Sequence, residues 1–79
     1  MQITYVLFCL ETNSYISNDF FDDQGDWIGE TNLVKEWEKS LHFENKQEAI
    51  DFLTIFEKEI VETSQKTCFT TREYFKLKS

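Results

Sequence analysis

Five carboxylates in one short stretch are the residues of this chain best suited to chemistry, because hard cations prefer carboxylate oxygens as ligands. They are Asp19, Asp22, Asp23, Asp26 and Glu30. An EF-hand loop places oxygen ligands at positions 1, 3, 5 and 12 and glycine at position 6. Counted from Asp22, glycine arrives at position 4, so the register fails. The stretch therefore predicts a solvated acidic loop, with no specific metal site and no cofactor.

The single histidine, His42, and the two cysteines, Cys9 and Cys68, are the other candidates for metal or nucleophilic chemistry. Zinc needs three or four N, S or O ligands with short local spacing, and these three residues are scattered singly. A catalytic nucleophile needs an adjacent base held by a third group, and no such pattern or glycine-rich phosphate loop occurs. We therefore expect no enzymatic activity, a structural His42, and two buried, reduced thiols in a reducing compartment. A disulfide between the terminal strands is the alternative interpretation.

The net charge of the chain is confined to its first half. Residues 1–44 hold nine acids and two bases and so carry the whole net charge of −7, whereas residues 45–79 hold six of each. Such a field attracts basic protein surfaces and repels nucleic acid and anionic lipid. We therefore expect a basic protein partner, no direct nucleic-acid contact and no membrane. The bases on or beside the last segment are attributed to protection of a sheet edge; they are Lys66, Arg72, Lys76 and Lys78.

Aromatic residues flank the acidic stretch and are candidates either for core anchors or for an apolar binding site. Phe20, Phe21 and Trp27 either turn inward and anchor the loop, or leave one ring, Trp27 or Phe21, exposed as a binding anchor among acids. Trp37, between Glu36 and Glu38, repeats this mixture. An aromatic ring beside carboxylates suits an arginine-rich groove. The predicted partner-binding residues are Asp19, Phe21, Asp22, Asp23, Asp26, Trp27, Glu30, Glu36 and Glu38.

The pattern of apolar residues in the first half of the chain predicts mainly short strands. Residues 3–10 are apolar on both alternating faces and predict an inner strand, and residues 3–20 predict a β-hairpin turning at Asn13. Trp27 and Ile28 are candidates for a short third strand. The apolar spacing from Thr31 to Leu41 favours a short amphipathic helix, and the alternative is an irregular arm that ends in a strand at Ser40–Phe43.

The second half predicts one long helix and a final strand. Asn45 is a suitable N-cap, and apolar residues at 3.6-residue spacing predict a helix from Lys46 to about Glu62. Alternation from Cys68 to Leu77 predicts a strand with one apolar face. Thirteen aromatic residues can supply a compact core for a single domain of residues 1–79. The predicted class is α+β: a small antiparallel sheet, made of the hairpin and the C-terminal strand, packed by one main amphipathic helix, with a short extra helix in the favoured interpretation of residues 31–41.

The order of these segments resembles a pattern common in small phage and prophage proteins. Its parts are Tyr5-Val6-Leu7, then Tyr15-Ile16-Ser17, then the run from Leu41 through Phe43, Lys46, Glu48 and Ala49 to Phe52. Leu41 departs from the pattern, which has alanine two residues before the phenylalanine. The resemblance implies a phage or mobile-element accessory protein, a group that includes small, acidic, non-enzymatic anti-CRISPR and anti-restriction inhibitors. It carries over no individual binding residue.

The charge distribution, the lack of catalytic groups and the resemblance to phage proteins together predict a non-catalytic inhibitor that acts in the host cytoplasm. Its acidic surface would bind and block a basic, nucleic-acid-binding site of a host protein, such as a nuclease or surveillance complex. The alternative is a structural or regulatory assembly module that homodimerises through a sheet edge and has no inhibitory role.

Overall fold

The apolar run near the N-terminus forms the central strand of a five-stranded antiparallel sheet. The computed structural model describes residues 2–76. Their elements are β1 (Gln2–Cys9), β2 (Ser14–Ile16), β3 (Leu33–Val34), a 3-10 turn (Trp37–Lys39), β4 (His42–Phe43), α1 (Lys46–Ser64) and β5 (Phe69–Lys76). The arrangement is α+β, as the sequence predicts, with one main helix and a small antiparallel sheet. No helix among these residues is long and apolar enough to cross a bilayer.

Both edges of β1 are paired, so it is the inner strand that the sequence predicts. One edge meets β5 along its whole length, from Gln2 opposite Lys76 to Cys9 opposite Phe69. The other edge is shared, because β2 pairs with its second half and β4 pairs with its middle. β3 lies outside β2. The sheet therefore runs from β5, through β1, to β2 with β4, and ends at β3.

The predicted hairpin forms, and its turn has the expected residue. Asn13 has φ 50°, the left-handed conformation that asparagine tolerates better than most residues. The turn sets Phe8 opposite Tyr15 and Cys9 opposite Ser14. Local turn chemistry therefore fixes the register of β1 against β2.

The predicted helix begins and ends by local capping. The side chain of Asn45 accepts a hydrogen bond from the Glu48 backbone amide at 2.8 Å, which satisfies one of the unpaired donors of the first turn. At the other end Gln65 takes the left-handed conformation, and its amide donates to the Val61 carbonyl. The helix runs two residues beyond the predicted Glu62. Its apolar stripe packs on the sheet as predicted, with Ala49, Phe52 and Ile60 buried.

The sheet carries a separate apolar cluster on each face. On the face under α1, Leu7 and Ile16 pack with Phe20, Phe52 and Ile60. Within residues 2–76, no α-helix covers the opposite face. There the buried side chains are Val6, Phe8 and Tyr15, covered by Val34, Trp37 and Tyr74.

The two cores explain why no α-helix forms over Thr31–Leu41. The spacing of the apolar residues suggests one helical stripe, but the structure divides them between the two faces. Leu33 and Leu41 pack on the side of α1, whereas Val34 and Trp37 pack on the opposite face. The segment is the irregular arm of the alternative interpretation, and its strand is His42–Phe43, preceded by a bridge between Ser17 and Ser40.

Two further predictions need correction. Trp27 and Ile28 do not form a strand, because only an isolated bridge joins Phe21 to Trp27. Cys9 is buried as predicted, but Cys68, which lies one residue before the start of β5, is exposed. Neither cysteine forms a disulfide. The predicted end of the last strand, Leu77, and the edge base Lys78 lie outside the described residues.

Candidate protein-binding surface

The acidic loop, defined as residues 19–30, is closed by backbone hydrogen bonds between its two arms. The Asp22 amide donates to the Asp26 carbonyl at 2.8 Å, and the Ile28 amide donates to the Phe20 carbonyl at 3.2 Å. Between them, Phe21 and Trp27 form a bridge. The backbone of the loop therefore has a defined shape, which sets where along it each acidic residue projects.

The side chain of Asp22 organises the tip of this loop. Its Oδ1 accepts hydrogen bonds from the Gln24 and Asp26 amides, each at 2.9 Å, an arrangement typical of aspartate in turns. Gly25 follows with φ 83°, a conformation that side chains with a Cβ rarely adopt. One acid of the cluster is thus a structural element of the loop.

Aromatic side chains attach the loop to the main core. Phe20 is 1 % exposed, and its ring lies 4.9 Å from that of Phe52 and 5.2 Å from that of Phe56. Phe21 and Trp27 are half-buried against the same cluster, and the Trp27 indole donates to the Glu30 carbonyl. All three rings therefore turn inward as anchors, and Phe21 and Trp27 keep only part of their surface in solvent.

All five carboxylate residues of the loop are exposed. Asp19 and Glu30, at the two ends of the loop, accept hydrogen bonds from the same Asn32 amide nitrogen at 3.0 and 3.3 Å. A backbone hydrogen bond joins Asp22 to Asp26 near the tip of the loop, and Asp23 lies between them in sequence. The hydrogen bonds that these side chains accept come from amides. Ile28, 40 % exposed, adds an apolar side chain beside the acids that the sequence did not single out.

Glu36 and Glu38 lie apart from the loop. Trp37, between them, stacks on Tyr74 with ring centroids 5.3 Å apart, on the face opposite α1. The acidic loop packs against α1 on the other side of the sheet. The nine predicted residues thus form two groups, seven in the loop and two on the Trp37 turn.

His42 has a structural environment, in agreement with the sequence. Its Nε2 donates to the Trp37 carbonyl at 2.8 Å, because a carbonyl oxygen only accepts. On the opposite side of the ring, Nδ1 lies 2.9 Å from the Thr4 hydroxyl. The ring ties β4 and β1 to the Trp37 turn. Among residues 2–76 no three His, Cys, Asp or Glu side chains converge as a metal site requires.

The sequence did not identify Glu11 as a special residue. One of its carboxylate oxygens accepts hydrogen bonds from the Thr67 and Cys68 amides at 2.6 and 2.9 Å. These backbone donors hold the pKa of Glu11 below its ordinary value, because they stabilise the charged form. The carboxylate clamps the β1–β2 turn to the connection that leads into β5.

Arg72 packs on the face of the sheet opposite α1. Its guanidinium lies over the Phe8 ring, 3.7 Å from the centroid, and the hydroxyls of Tyr15 and Tyr74 are hydrogen-bonded to each other beside it. The arginine and the Trp37 turn cover the apolar residues on the face that lacks a helix. The contact between β1 and β5, distant in sequence, brings Arg72 and Tyr74 beside Phe8, so no local pattern could reveal the cluster.

No family model, curated protein or solved structure matches the chain.

Proposed function

We propose that this protein is a non-catalytic binding domain whose acidic loop docks on a basic, nucleic-acid-binding surface of a partner protein and blocks it. The observation that carries the proposal is the loop itself. It presents five exposed carboxylates on a frame fixed by backbone hydrogen bonds and by a buried aromatic anchor. A preorganised array loses less conformational entropy on binding than a flexible acidic tail would.

The position of the loop in the fold adds support. It connects β2 to β3, at the edge of the sheet farthest from β5. Five of the nine acids of residues 1–44 therefore lie together at this edge of the molecule. Carboxylates on one side can occupy positions that a partner uses for phosphates, and their field speeds association. Ile28 supplies exposed apolar area next to them.

The biological setting of this proposal comes from the sequence resemblance to phage and prophage accessory proteins. In that setting the partner is a basic host nuclease or surveillance complex, and the protein acts as an inhibitor of the anti-CRISPR or anti-restriction kind in the host cytoplasm. The competing proposal, a homodimeric assembly module, draws support from β5, whose outer edge pairs with no other strand among residues 2–76.

The test neutralises the loop without unfolding it. Asp22 is kept because its side chain caps two loop amides, and the loop variant carries Asp19→Asn, Asp23→Asn, Asp26→Asn and Glu30→Gln. A matched control removes four exposed acids elsewhere: Glu44→Gln, Glu48→Gln, Asp51→Asn and Glu62→Gln. Both variants change the net charge from −7 to −3.

Each protein is added to a panel of purified CRISPR effector complexes and restriction endonucleases, and displacement of labelled DNA is measured between 50 and 300 mM salt. We expect the parent and the control to displace DNA from at least one member, and the loop variant to do so at least about tenfold more weakly at low salt. Equal losses in the two variants would attribute the effect to net charge alone. If no member responds and the parent sediments as a salt-insensitive dimer, the assembly module replaces this proposal.

A further inference from the structure

The outer edge of β5 offers a row of unused backbone hydrogen-bonding groups. Leu10 donates its amide hydrogen to the Cys68 carbonyl at 2.9 Å, so these two residues form a hydrogen-bonded pair of the antiparallel ladder. Such pairs recur at every second residue. The amides and carbonyls of Thr70, Arg72 and Tyr74 therefore point toward β1. Those of the intervening residues point away from the sheet: Phe69, Thr71, Glu73 and Phe75.

A groove runs beside this edge on the α1 side. Its volume is about 160 Å³, and its lining includes the apolar side chains of Leu53, Ile60 and Phe69 together with Glu57. At the other end of β5, Phe75 is 56 % exposed and lies opposite Ile3, which is also exposed. Two apolar positions, six residues apart on one strand, thus flank the same side of the edge.

On the α1 side of the sheet, the charged side chain between these two apolar positions is negative. Glu73 is exposed and lies opposite Tyr5, whose ring packs in the cluster under α1, so Glu73 projects to the same side as the groove. Arg72 projects to the other side of the sheet, over Phe8. A strand added to this edge would meet an acid on its α1 side and a base on its opposite side.

We propose that the outer edge of β5 and the α1–β5 groove bind an extended segment of a partner protein, which adds to the sheet as an antiparallel strand. Backbone hydrogen bonds to Phe69, Thr71, Glu73 and Phe75 hold the segment, and its alternate side chains select it. In a seven-residue segment, position 1 lies opposite Phe75 and position 7 opposite Phe69, and both are apolar. Position 3 lies opposite Glu73 and is basic, and position 4 lies opposite Arg72 and is acidic.

A second copy of this chain fits the edge less well. Because the outward-pointing residues are odd-numbered, a symmetric antiparallel pair must centre on one residue. The two longest overlaps within Phe69–Lys76 centre on Arg72 or on Glu73. Each sets that residue directly opposite its own copy, and like charges in direct opposition destabilise a pair. A partner of complementary sequence avoids this conflict.

The probe is the synthetic peptide Leu-Thr-Arg-Glu-Val-Thr-Leu with blocked termini. Its control, Leu-Thr-Glu-Arg-Val-Thr-Leu, has the same composition and reverses the two charges. We expect the first peptide to bind about tenfold more tightly than the control, since two cross-strand pairs change from opposite to like charge. In the Glu73→Lys variant the difference should shrink, because the control peptide gains the favourable pair at position 3.

Amide hydrogen exchange locates the bound peptide. In the free protein the amides of Thr70, Arg72 and Tyr74 should exchange slowly, and those of Thr71, Glu73 and Phe75 at least about tenfold faster. Saturation with the first peptide should slow the second group. Glu73→Pro removes an outward donor and leaves the bonds to β1 intact, so it should abolish binding, whereas Glu73→Ala, which keeps the donor, should retain it.

Three results would overturn the proposal. One is equal binding of the two peptides by the parent, or no binding by either. Another is unchanged binding by a folded Glu73→Pro variant; if that variant does not fold, an unchanged preference in Glu73→Lys is equally decisive. The third is slow exchange of all β5 amides in the free protein together with a dimeric sedimentation coefficient, which would show that a second copy occupies the edge.

Discussion

Removing the Phe20 ring tests whether the acidic loop depends on the main core for its shape. The side chain is 1 % exposed, and four aromatic rings surround it, with centroids between 4.9 and 5.9 Å away. Two belong to the loop, Phe21 and Trp27, and two belong to α1, Phe52 and Phe56. Phe20→Ala therefore opens a cavity at the junction of the loop and the helix.

The expected cost is about 3–5 kcal/mol of unfolding free energy, the usual range for truncating a buried phenylalanine. A chain of this length has a total stability of roughly 4–12 kcal/mol. Phe20→Ala should therefore be barely stable or unfolded, and Phe20→Leu, which keeps most of the apolar volume, should lose less and stay measurable. Ile55→Ala is the control, because this helix side chain is 69 % exposed and its removal should change stability by about 0.5 kcal/mol or less.

Urea unfolding followed by tryptophan fluorescence measures these differences, with the m-value as a check that the same cooperative unit unfolds. Amide exchange in Phe20→Leu should accelerate first at the loop closures, the Asp22 and Ile28 amides. A Phe20→Ala protein with an unchanged m-value and a loss below about 1 kcal/mol would refute the reasoning. The loop would then keep its shape without the core, and preorganisation would need another cause.

Three further predictions concern the clamp, the thiols and the helix. Glu11→Gln should lower the free energy of unfolding at neutral pH. Because the pKa of Glu11 is lowered in the folded state, the extra stability of the parent should be present above the ordinary pKa of glutamate and should vanish as the pH falls through the lowered pKa. Parallel curves of stability against pH for the two proteins would contradict this. A thiol-reactive dye should label exposed Cys68 rapidly and buried Cys9 only after denaturation, so two rapid equivalents from the native protein would argue against the burial of Cys9. Asn45→Ala should cost about 1 kcal/mol by thermal or urea unfolding through loss of the helix cap, whereas Asn45→Ser should retain most of it, and equal losses would show that the cap is not the cause.

Local chemistry accounts for the parts of the fold that the sequence predicted correctly. Asn13 and Asn45 act within a few residues of themselves, one in a left-handed turn and one at a helix cap. The period of the apolar residues in α1 reports a single buried face. The inner position of β1 also follows from a local property, because both of its faces are apolar. Each inference needs only a short window of sequence.

The predictions that were wrong concern features that depend on contacts between residues distant in sequence. Periodicity cannot show that Val34 and Trp37 face one core while Leu33 and Leu41 face the other. The exposure of Cys68 depends on where β5 begins, one residue later. In the candidate surface, composition alone identified the acidic loop, whereas the Glu11 clamp spans 56 residues and the groove of β5 exists only after α1 packs on the sheet. Long-range pairing creates these features, and no short pattern encodes them.

The fold places the two proposed binding surfaces on opposite edges of the sheet. The acidic loop joins β2 to β3, and β5 lies beyond β1 on the other side. Three strand spacings separate β3 from β5, about 14 Å at the usual interval. The Debye length at physiological ionic strength is about 8 Å, so salt screens most of the loop field at the β5 edge. Neutralising Asp19, Asp23, Asp26 and Glu30 should therefore weaken binding to a basic partner and leave binding of the seven-residue peptide within about twofold of the parent at 150 mM salt. A large change in peptide affinity would mean that the two surfaces are coupled through the core, which the loop and α1 share at Phe20 and Phe52.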